Sequence, residues 1–539
     1  MQAFTYNLAD LLHIVCDTVP EREALVCDAR RLTFREFAER ADALARWLCA
    51  QGIQAGDTLG IHAINCIEYM EAVLASFMLR AVPVNINYRY TSAECRYLYD
   101  NAELKALVYG GEFEHAIAPA LDACPGLLTL LRIGHGANLL PQAVDYEAAL
   151  RCSGPPLQGI ERSDDDIMLL YTGGTTGQPK GVMWTHKAVF FGGFGGGGNF
   201  GNNGPVQSPL ELAERVRDNV PLTHLPCGPL MHGAGMWSTL IALLAGHTVF
   251  FNGRPDFRAD YLLDLMAREQ VGCVTIVGDA MALPLLDALQ AEPHRWDLSH
   301  LRVLSSAGAL FSDHVREGLK AFLPPSVVMT NGLGSSESGQ AGQGSKPAGE
   351  GLIRLPPHPD NWVVVDGVRF AQPGEHGIMA RTGYLPQGYF KDPEKTTQTF
   401  VTIAGRRCVL SGDIARLEAD GCITVFGRDS QCINTGGEKV FTEEVEEVVR
   451  SADGVFDAQV VGVPDPRWGN KVVAVVSMRA GHVPDAQAIR QHCRNRLAGY
   501  KVPKDIVFVN TMQRNPVGKA DYRWARQTAQ EALATQPTT

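Results

Sequence analysis

The stretch Tyr171-Thr-Gly-Gly-Thr-Thr-Gly-Gln-Pro-Lys-Gly-Val182 constrains the fold of this chain more than any other. It follows an apolar run, Ile167-Met-Leu-Leu170, which reads as a strand. Four glycines and three threonines in the window offer backbone N–H groups and hydroxyls to a chain of phosphates, and Lys180 adds a point charge. A Walker P-loop requires G-x-x-x-x-G-K-[ST] ahead of a helix. Here Lys180 follows Pro179 and precedes Gly181, and Val182-Met-Trp184 reads as a short strand. The spacing excludes a P-loop. It leaves a phosphate loop of another kind, or an ordinary glycine-rich hairpin.

Around this loop the chain reads as layered α/β structure. Thr33 and Glu36 form a T-x-x-E capping box, after which Phe37, Ala41, Leu44, Ala45 and Leu48 fall on one helical face. Gly52 stands where a helix-ending glycine belongs, and Thr58-Leu-Gly-Ile-His62 reads as the next strand. Met70–Arg80 reads as a buried helix ahead of the strand-like Val82-Pro-Val-Asn-Ile86. Such alternation predicts α/β layers with mainly parallel sheets. At about 100–200 residues per domain, 539 residues predict three or four domains or subdomains. After about Arg428 the texture changes to short strands and helices rich in charge, among them Glu443, Glu444, Glu446 and Glu447. Two stretches break the pattern: Gly192–Gly204, glycine-rich with Phe194 and Phe200 embedded, and Ser338–Gly351.

Composition narrows the partners. Lys and Arg total 48 against 59 Asp and Glu, a net charge of −11, so no global field attracts nucleic acid or an anionic membrane. A polyanionic ligand must be held locally. The thirteen cysteines include no C-x-x-C pair and fit reduced thiols better than a disulfide framework. The most apolar long stretch, Met236–Phe251, is too short and too polar to span a bilayer. The opening MQAFTYNLAD has no basic run ahead of an apolar one, and the closing QPTT is no organelle address. The expectation is a cytoplasmic protein without a transmembrane segment.

The loop at 171–182 resembles the signature of the adenylate-forming superfamily: acyl-CoA synthetases, peptide-synthetase adenylation domains and luciferases. Further blocks resemble that family in its order along nearly the whole chain. They are Pro229-Leu-Met-His-Gly233, Ala307-Gly-Ala309, Leu333-Gly-Ser-Ser-Glu337, Gly388-Tyr-Phe390, Ser411-Gly-Asp413, Gly427-Arg428 with Asn434-Thr-Gly-Gly-Glu-Lys439, Val463-Pro-Asp-Pro-Arg-Trp-Gly469 and Pro516-Val-Gly-Lys519. The resemblance implies a large multi-subdomain domain over residues 1–428 for ATP and acyl binding. A small mobile α+β domain over 429–539 would follow it. The implied reaction has two halves: a carboxylate attacks the α-phosphorus of ATP and expels pyrophosphate, then a thiol attacks the acyl-AMP and expels AMP.

The same resemblance implies roles. Thr172, Gly173, Gly174, Thr175, Thr176, Gly177 and Lys180 would hold the β- and γ-phosphates. Glu337, assisted by Thr176, would hold Mg²⁺, a hard cation suited to carboxylate, phosphate oxygens and water. Gly308, Ala309, Leu333, Gly334, Ser335 and Ser336 would face adenine. Asp413 would accept from the ribose hydroxyls, against the reading of a turn aspartate after Gly412. Arg428 would contact ribose or phosphate, against an interdomain salt bridge. Lys519 would reach the α-phosphate and carboxylate oxygens, against a surface lysine. His232 would steer the substrate carboxylate, with Gly233, Met236 and Gly308 along the acyl channel; a core histidine is the competing reading. Gly436, Gly437, Glu438 and Lys439 would line the path of coenzyme A. Lys439 and Lys501 would take its phosphates, unless they are solvated lysines.

Lys519 and the 436–439 loop serve different half-reactions in such enzymes, so a rotation hinged just after Arg428 is implied. Two positions depart from the family pattern. Ser430 stands where Asp or Lys is usual, and Leu333 replaces an aromatic that would stack on adenine.

The details around 170–177, 229–233 and 433–440 look most like bacterial fatty-acyl-CoA synthetases, within these the group acting on sterol or bile-acid side chains. Gly192–Gly204 reads either as a glycine-lined channel wall for a bulky alicyclic acid or as a surface loop. No basic residue lies between Lys187 and Arg215 to pair a second carboxylate, which disfavours a diacid. An aryl-acid ligase, a carrier-protein acylating enzyme and a luciferase-like oxygenase stay open. A non-catalytic sensor would require loss of Lys519, Asp413 or Glu337, and all three are present. The resemblance also admits a homodimer.

Overall fold

The computed structural model describes residues 4–134, 140, 142–172, 178–198, 204–309, 311–344, 353–428, 432–435, 438–465, 469–497, 499–514 and 520–534. Two eight-stranded sheets carry most of the first 340 residues. The first runs in the spatial order Gly388–Tyr389, Lys180–Thr185, Ile167–Thr172, Val82–Asn85, Thr58–His62, Ala106–Gly110, Thr129–Ile133 and Val144–Asp145. The second runs Gly339–Gly344, Val328–Ser335, Val303–Ala307, Cys273–Ile276, Thr223–Pro226, Thr248–Phe251, Glu23–Cys27 and Arg30–Thr33. Pairing is parallel in the interior of both and antiparallel only toward the ends. The alternation of helix and strand predicted this much.

Local expectations hold in detail. Thr33 and Glu36 make both arms of a capping box at the head of the helix Phe34–Ala50. That helix buries Phe37, Ala41, Leu44, Ala45 and Leu48, and Gly52 takes a φ of +94° beyond its end. Ile67–Met78 is a helix buried along its whole length. The apolar stretch near 236–251 resolves into the helix Gly233–Leu244 and the strand Thr248–Phe251. No described helix is long and apolar enough to cross a membrane. All thirteen cysteines are free thiols.

A third sheet, residues 353–428, departs from the mainly parallel expectation: its pairing is antiparallel throughout. Among the described residues the one helix in this span, Pro393–Thr399, links no parallel pair. At Ala404 and Gly405, both at positive φ, two residues reverse the chain between Ile403 and Arg406, a turn whose twist matches the flanking strands. The fourth sheet gathers Cys432–Thr435, Glu438–Phe441, Val455–Asp465, Gly469–Met478 and Asp505–Val509. Its faces alternate residue by residue. Val460, Val472, Ala474 and Val476 pack with Val445 and Ile489, while Val461, Val463, Val473 and Val475 pack with Ala525 and Ala529 of the helix Tyr522–Ala534.

Candidate active site

Two paired strands flank the glycine-rich loop. Ile167–Thr172 and Lys180–Thr185 pair antiparallel with Thr172 opposite Lys180. The chain returns as a strand rather than entering a helix, as the spacing required. Gly173, Gly174, Thr175, Thr176 and Gly177 lie outside the described residues. Lys180 Nζ meets Asp392 Oδ2 at 2.5 Å, which holds the Asp392 carboxyl below the usual carboxylate range. The ammonium also sits 5.7 Å from the centre of the Tyr389 ring.

A second hairpin presents Glu337. The strands Val328–Ser335 and Gly339–Gly344 pair with Ser335 opposite Gly339. Ser335 and Ser338 lock the tip reciprocally: each backbone N–H donates to the other's Oγ at 3.1 Å. Trp184 Nε1 donates to Ser336 O at 2.8 Å and ties this tip to the strand of Lys180. Gly339 has a φ of +70°, and a Cβ there would lie 2.4 Å from Gly192 O, so only glycine fits. Tyr389, opposite Val182 at the hairpin's outer edge, donates its hydroxyl to Glu337 Oε1 at 3.0 Å. Burial and the Glu337 charge push the Tyr389 phenol up, so it stays a donor at neutral pH. Tyr389 and Asp392 thus link the two candidate phosphate and metal groups, Lys180 and Glu337. Sequence reading passed over both, although Tyr389 lies within a quoted block.

Two buried asparagines fix the turn that carries His232. Asn65 accepts from Leu230 N at 2.7 Å and donates to Gly228 O at 3.1 Å. Asn85 accepts from Tyr171 N at 2.7 Å and donates to both Tyr171 O and Met231 O. His232 occupies the N-cap position of the helix Gly233–Leu244, half-buried. Nothing in a lone strand asparagine marks such a role before the fold is known.

Beside this turn lies a cavity of about 850 Å³. Of the anticipated residues, Thr172, His232, Gly233, Gly308, Leu333, Gly334, Ser335 and Ser336 border it; Lys180, Glu337, Asp413, Met236 and Ala309 do not. Met236 is buried in the main core, and Trp237, Ser238 and Ile241 face the cavity instead. One residue along a helix turns the side chain by about 100°, enough to exchange wall for core. The cavity floor is the second sheet, whose strands offer it Thr275, Ser305, Ala307, Thr330 and Gly332. The described part of the glycine-rich 192–204 segment does not border the cavity. Phe194 is buried 6.2 Å from Trp237, and Gly192 packs under Gly339. Neither the channel-wall nor the surface-loop reading holds for those residues; Phe200 lies outside the description.

Asp413 is buried on the strand Arg406–Leu417, with its backbone N–H on Ser411 Oγ, and pairs in register with Arg428 of the neighbouring strand. The third sheet therefore brings together two candidates that sequence could only name separately. Lys501 is engaged with Glu444 at 2.8 and 2.9 Å. Beside the 436–439 block, Thr435 pairs opposite Glu438 and Asn434 opposite Lys439; Gly436 and Gly437 lie outside the described residues, as do Ser430 and Lys519. Arg514, which the sequence did not single out, borders the cavity and pairs with the buried Asp457, which also receives Arg450 at 3.1 Å. Among the described residues no cluster of three or more His, Cys, Asp or Glu could cage a metal. Mg²⁺ carried on phosphates needs no such cage, and Glu337, a single oriented carboxylate, suits it.

Lys180 and Glu337, linked through Tyr389 beside a large pocket and followed by a separate small sheet, form a frame suited to an enzyme that handles phosphates. The chain belongs to the AMP-binding enzymes: residues 12–385 match the family described as AMP-binding enzyme, and residues 444–519 match its AMP-binding enzyme C-terminal domain. Its relatives are acyl-CoA ligases. The 3-oxocholest-4-en-26-oate–CoA ligase of Rhodococcus rhodochrous is 40% identical over 532 residues, covering 96% of this chain and 95% of that one. The medium/long-chain-fatty-acid–CoA/3-oxocholest-4-en-26-oate–CoA ligase of Mycobacterium tuberculosis is 40% identical over 533 residues, covering 97% and 96%. The fold matches that of the anthranilate CoA ligase AuaEII in complex with anthranoyl-AMP, with a TM-score of 0.84 at 22% identity and 98% of both chains covered.

Proposed function

We propose that this protein is an ATP- and Mg²⁺-dependent acyl-CoA ligase for a bulky hydrophobic acid of fatty or steroid side-chain type. The observation that carries the reading is the cavity. It is large, and it runs along a sheet face made of small residues such as Ala307 and Gly332. Relatives at 40% identity that act on such acids support the choice.

In the first half-reaction a carboxylate oxygen bonds to the α-phosphorus as the bond to pyrophosphate breaks. The chain's task is positioning and charge stabilisation. Lys180 exchanges Asp392 for a terminal phosphate. Tyr389 holds Glu337 by a hydrogen bond in a position from which it would hold Mg²⁺, which would supply neutralisation of phosphate charge. Asp413 and Arg428 receive the ribose, and His232 orients the carboxylate at the cavity mouth. Lys519, on the domain we place at 429–539, neutralises the charge that builds between acid and phosphate. In the second half the thiol sulfur of coenzyme A attacks the acyl carbon and AMP leaves, with the 436–439 loop turned toward the site.

The test is AMP release by the purified protein across medium and long fatty acids, aryl acids and steroid side-chain acids, with and without coenzyme A. Release that depends on coenzyme A with the bulky acids supports the reading; release indifferent to it overturns it. Lys519→Ala should abolish adenylation, yet leave thioester formation from supplied acyl-AMP within about twofold of the parent. Equal loss of both halves would remove that division of labour.

A further inference from the structure

The floor of the cavity is banded. In the parallel register of the second sheet, Cys273 lies beside Val303 and Val303 beside Val328; Thr275 lies beside Ser305 and Ser305 beside Thr330; Ala307 lies beside Gly332. All of these residues line the cavity. Alternate residues of a strand share a face and stand about 7 Å apart along it, so each row is one band across the floor. The band nearest Gly308 and the turn of His232 is small, the farthest is Cys and Val, and the middle one consists of three hydroxyls.

The rows on either side of this band are apolar, and hydroxyls set between them are costly to dehydrate unless something hydrogen-bonds them. Within the band only one bond is made: Thr330 Oγ1 donates to Ser305 Oγ at 3.0 Å. That leaves the Ser305 O–H as a donor with no acceptor among the described residues. The Thr275 hydroxyl, on a residue only 6% exposed, has no side-chain hydrogen bond among them either. The β-branched threonines have few alternative rotamers with which to turn away.

We propose that Thr275, Ser305 and Thr330 form a specificity band that recognises an oxygen, hydroxyl or keto, on the hydrocarbon body of the acid, about 7 Å beyond the Ala307–Gly332 row. The site rests on the ligase reading and deepens it: the preferred acid is oxygenated partway along its skeleton, not a plain alkanoic acid. A keto oxygen accepts from Ser305 and Thr275. A hydroxyl accepts from one of them and donates to the other's remaining lone pair. Either arrangement completes the hydrogen bonding that the protein leaves open.

The experiment compares kcat/KM for coenzyme A-dependent AMP release on acids of one skeleton. The set is an unsubstituted cholanic acid and cholanic acids bearing a single ring hydroxyl at graded distances from the carboxyl. The parent should favour one hydroxyl position over the bare acid by about five- to tenfold, the worth of one or two hydrogen bonds. In Ser305→Ala that preference should fall toward unity, as it should in Thr275→Val, through loss of kcat/KM on the favoured hydroxy acid. Thr275→Ser, which keeps the hydroxyl, should retain the preference. Thermal melts accompany each variant, because Ser305→Ala also removes the acceptor of the Thr330 hydroxyl. A parent that turns over these acids with no positional preference overturns the band. So does a preference that survives Ser305→Ala and Thr275→Val together. A parent inactive on every acid offered removes the ligase reading itself, which is a different result.

Discussion

The strands Cys273–Ile276, Val303–Ala307 and Val328–Ser335 have two unlike faces. On one, Val274, Ile276, Leu304 and Met329 are packed under Leu286, Val315 and their helix neighbours as ordinary core. On the other, Thr275, Ser305, Ala307, Thr330 and Gly332 are left to the cavity. The same backbone serves both, so stability and selectivity are separated by a single residue step. Loss of volume on the apolar face should cost stability, and gain of volume on the small face should cost cavity space.

Protons should break the closed regions first. Burial holds the imidazoles of His62, His186 and His224 down to about 3 and that of His247 to about 4. Leu8 N–H donates to His186 Nδ1, which requires the neutral ring. Unfolded histidines protonate near pH 6.5, so the unfolded chain binds more protons below that value. This contribution is complete above pH 6.5 and is lost as the pH falls toward 4 and 3. Each histidine weakens folding by about 1.4 kcal/mol per pH unit within that window. Thermal melts between pH 7.5 and 5 should show the midpoint drop steeply below 6.5, while acid preference at pH 6.5–7.5 stays constant.

Next in size is Leu304→Ala. It empties the packed face and should cost about 3 kcal/mol in chemical denaturation, with the relative kcat/KM of large and small acids unaltered. The reverse case, Gly332→Val, adds bulk to the open face. A Cβ there has no neighbour nearer than 3.4 Å, so the fold should hold within about 1 kcal/mol. The kcat/KM for ring-bearing acids should fall at least about tenfold relative to short ones. A loss of stability without a change in preference would erase the distinction between the faces.

Much of this architecture can be read from sequence because it is local. The capping box at Thr33, the strand at Thr58–His62 and the hairpin around Lys180 are each dictated by residues within a few positions of one another. The ordered blocks name Glu337, Asp413 and His232, but not their company. That Tyr389 serves Glu337, or that Asp413 lies opposite Arg428, depends on pairings between strands far apart in the chain. Alternation shows that a strand has two faces; it does not show which one lacks a covering helix. The misplacement of Met236 has the same origin, since the register of the helix after His232 is set by Asn65 and Asn85. The antiparallel third sheet escaped because its turns, such as Ala404-Gly405, carry a weaker signal than the helix–strand alternation before it.

The side chain of Asn85 has a consequence of its own. One amide grips both edges of the peptide at Tyr171, where the phosphate hairpin begins, and the carbonyl of Met231, next to His232. In the proposed reaction acid and nucleotide would arrive on separate supports, and their atoms must meet within about 3.5 Å. Asn85 is the common datum from which both supports are measured. In the proposed reaction the gap between the two reactants would thereby be set by a residue outside the cavity lining.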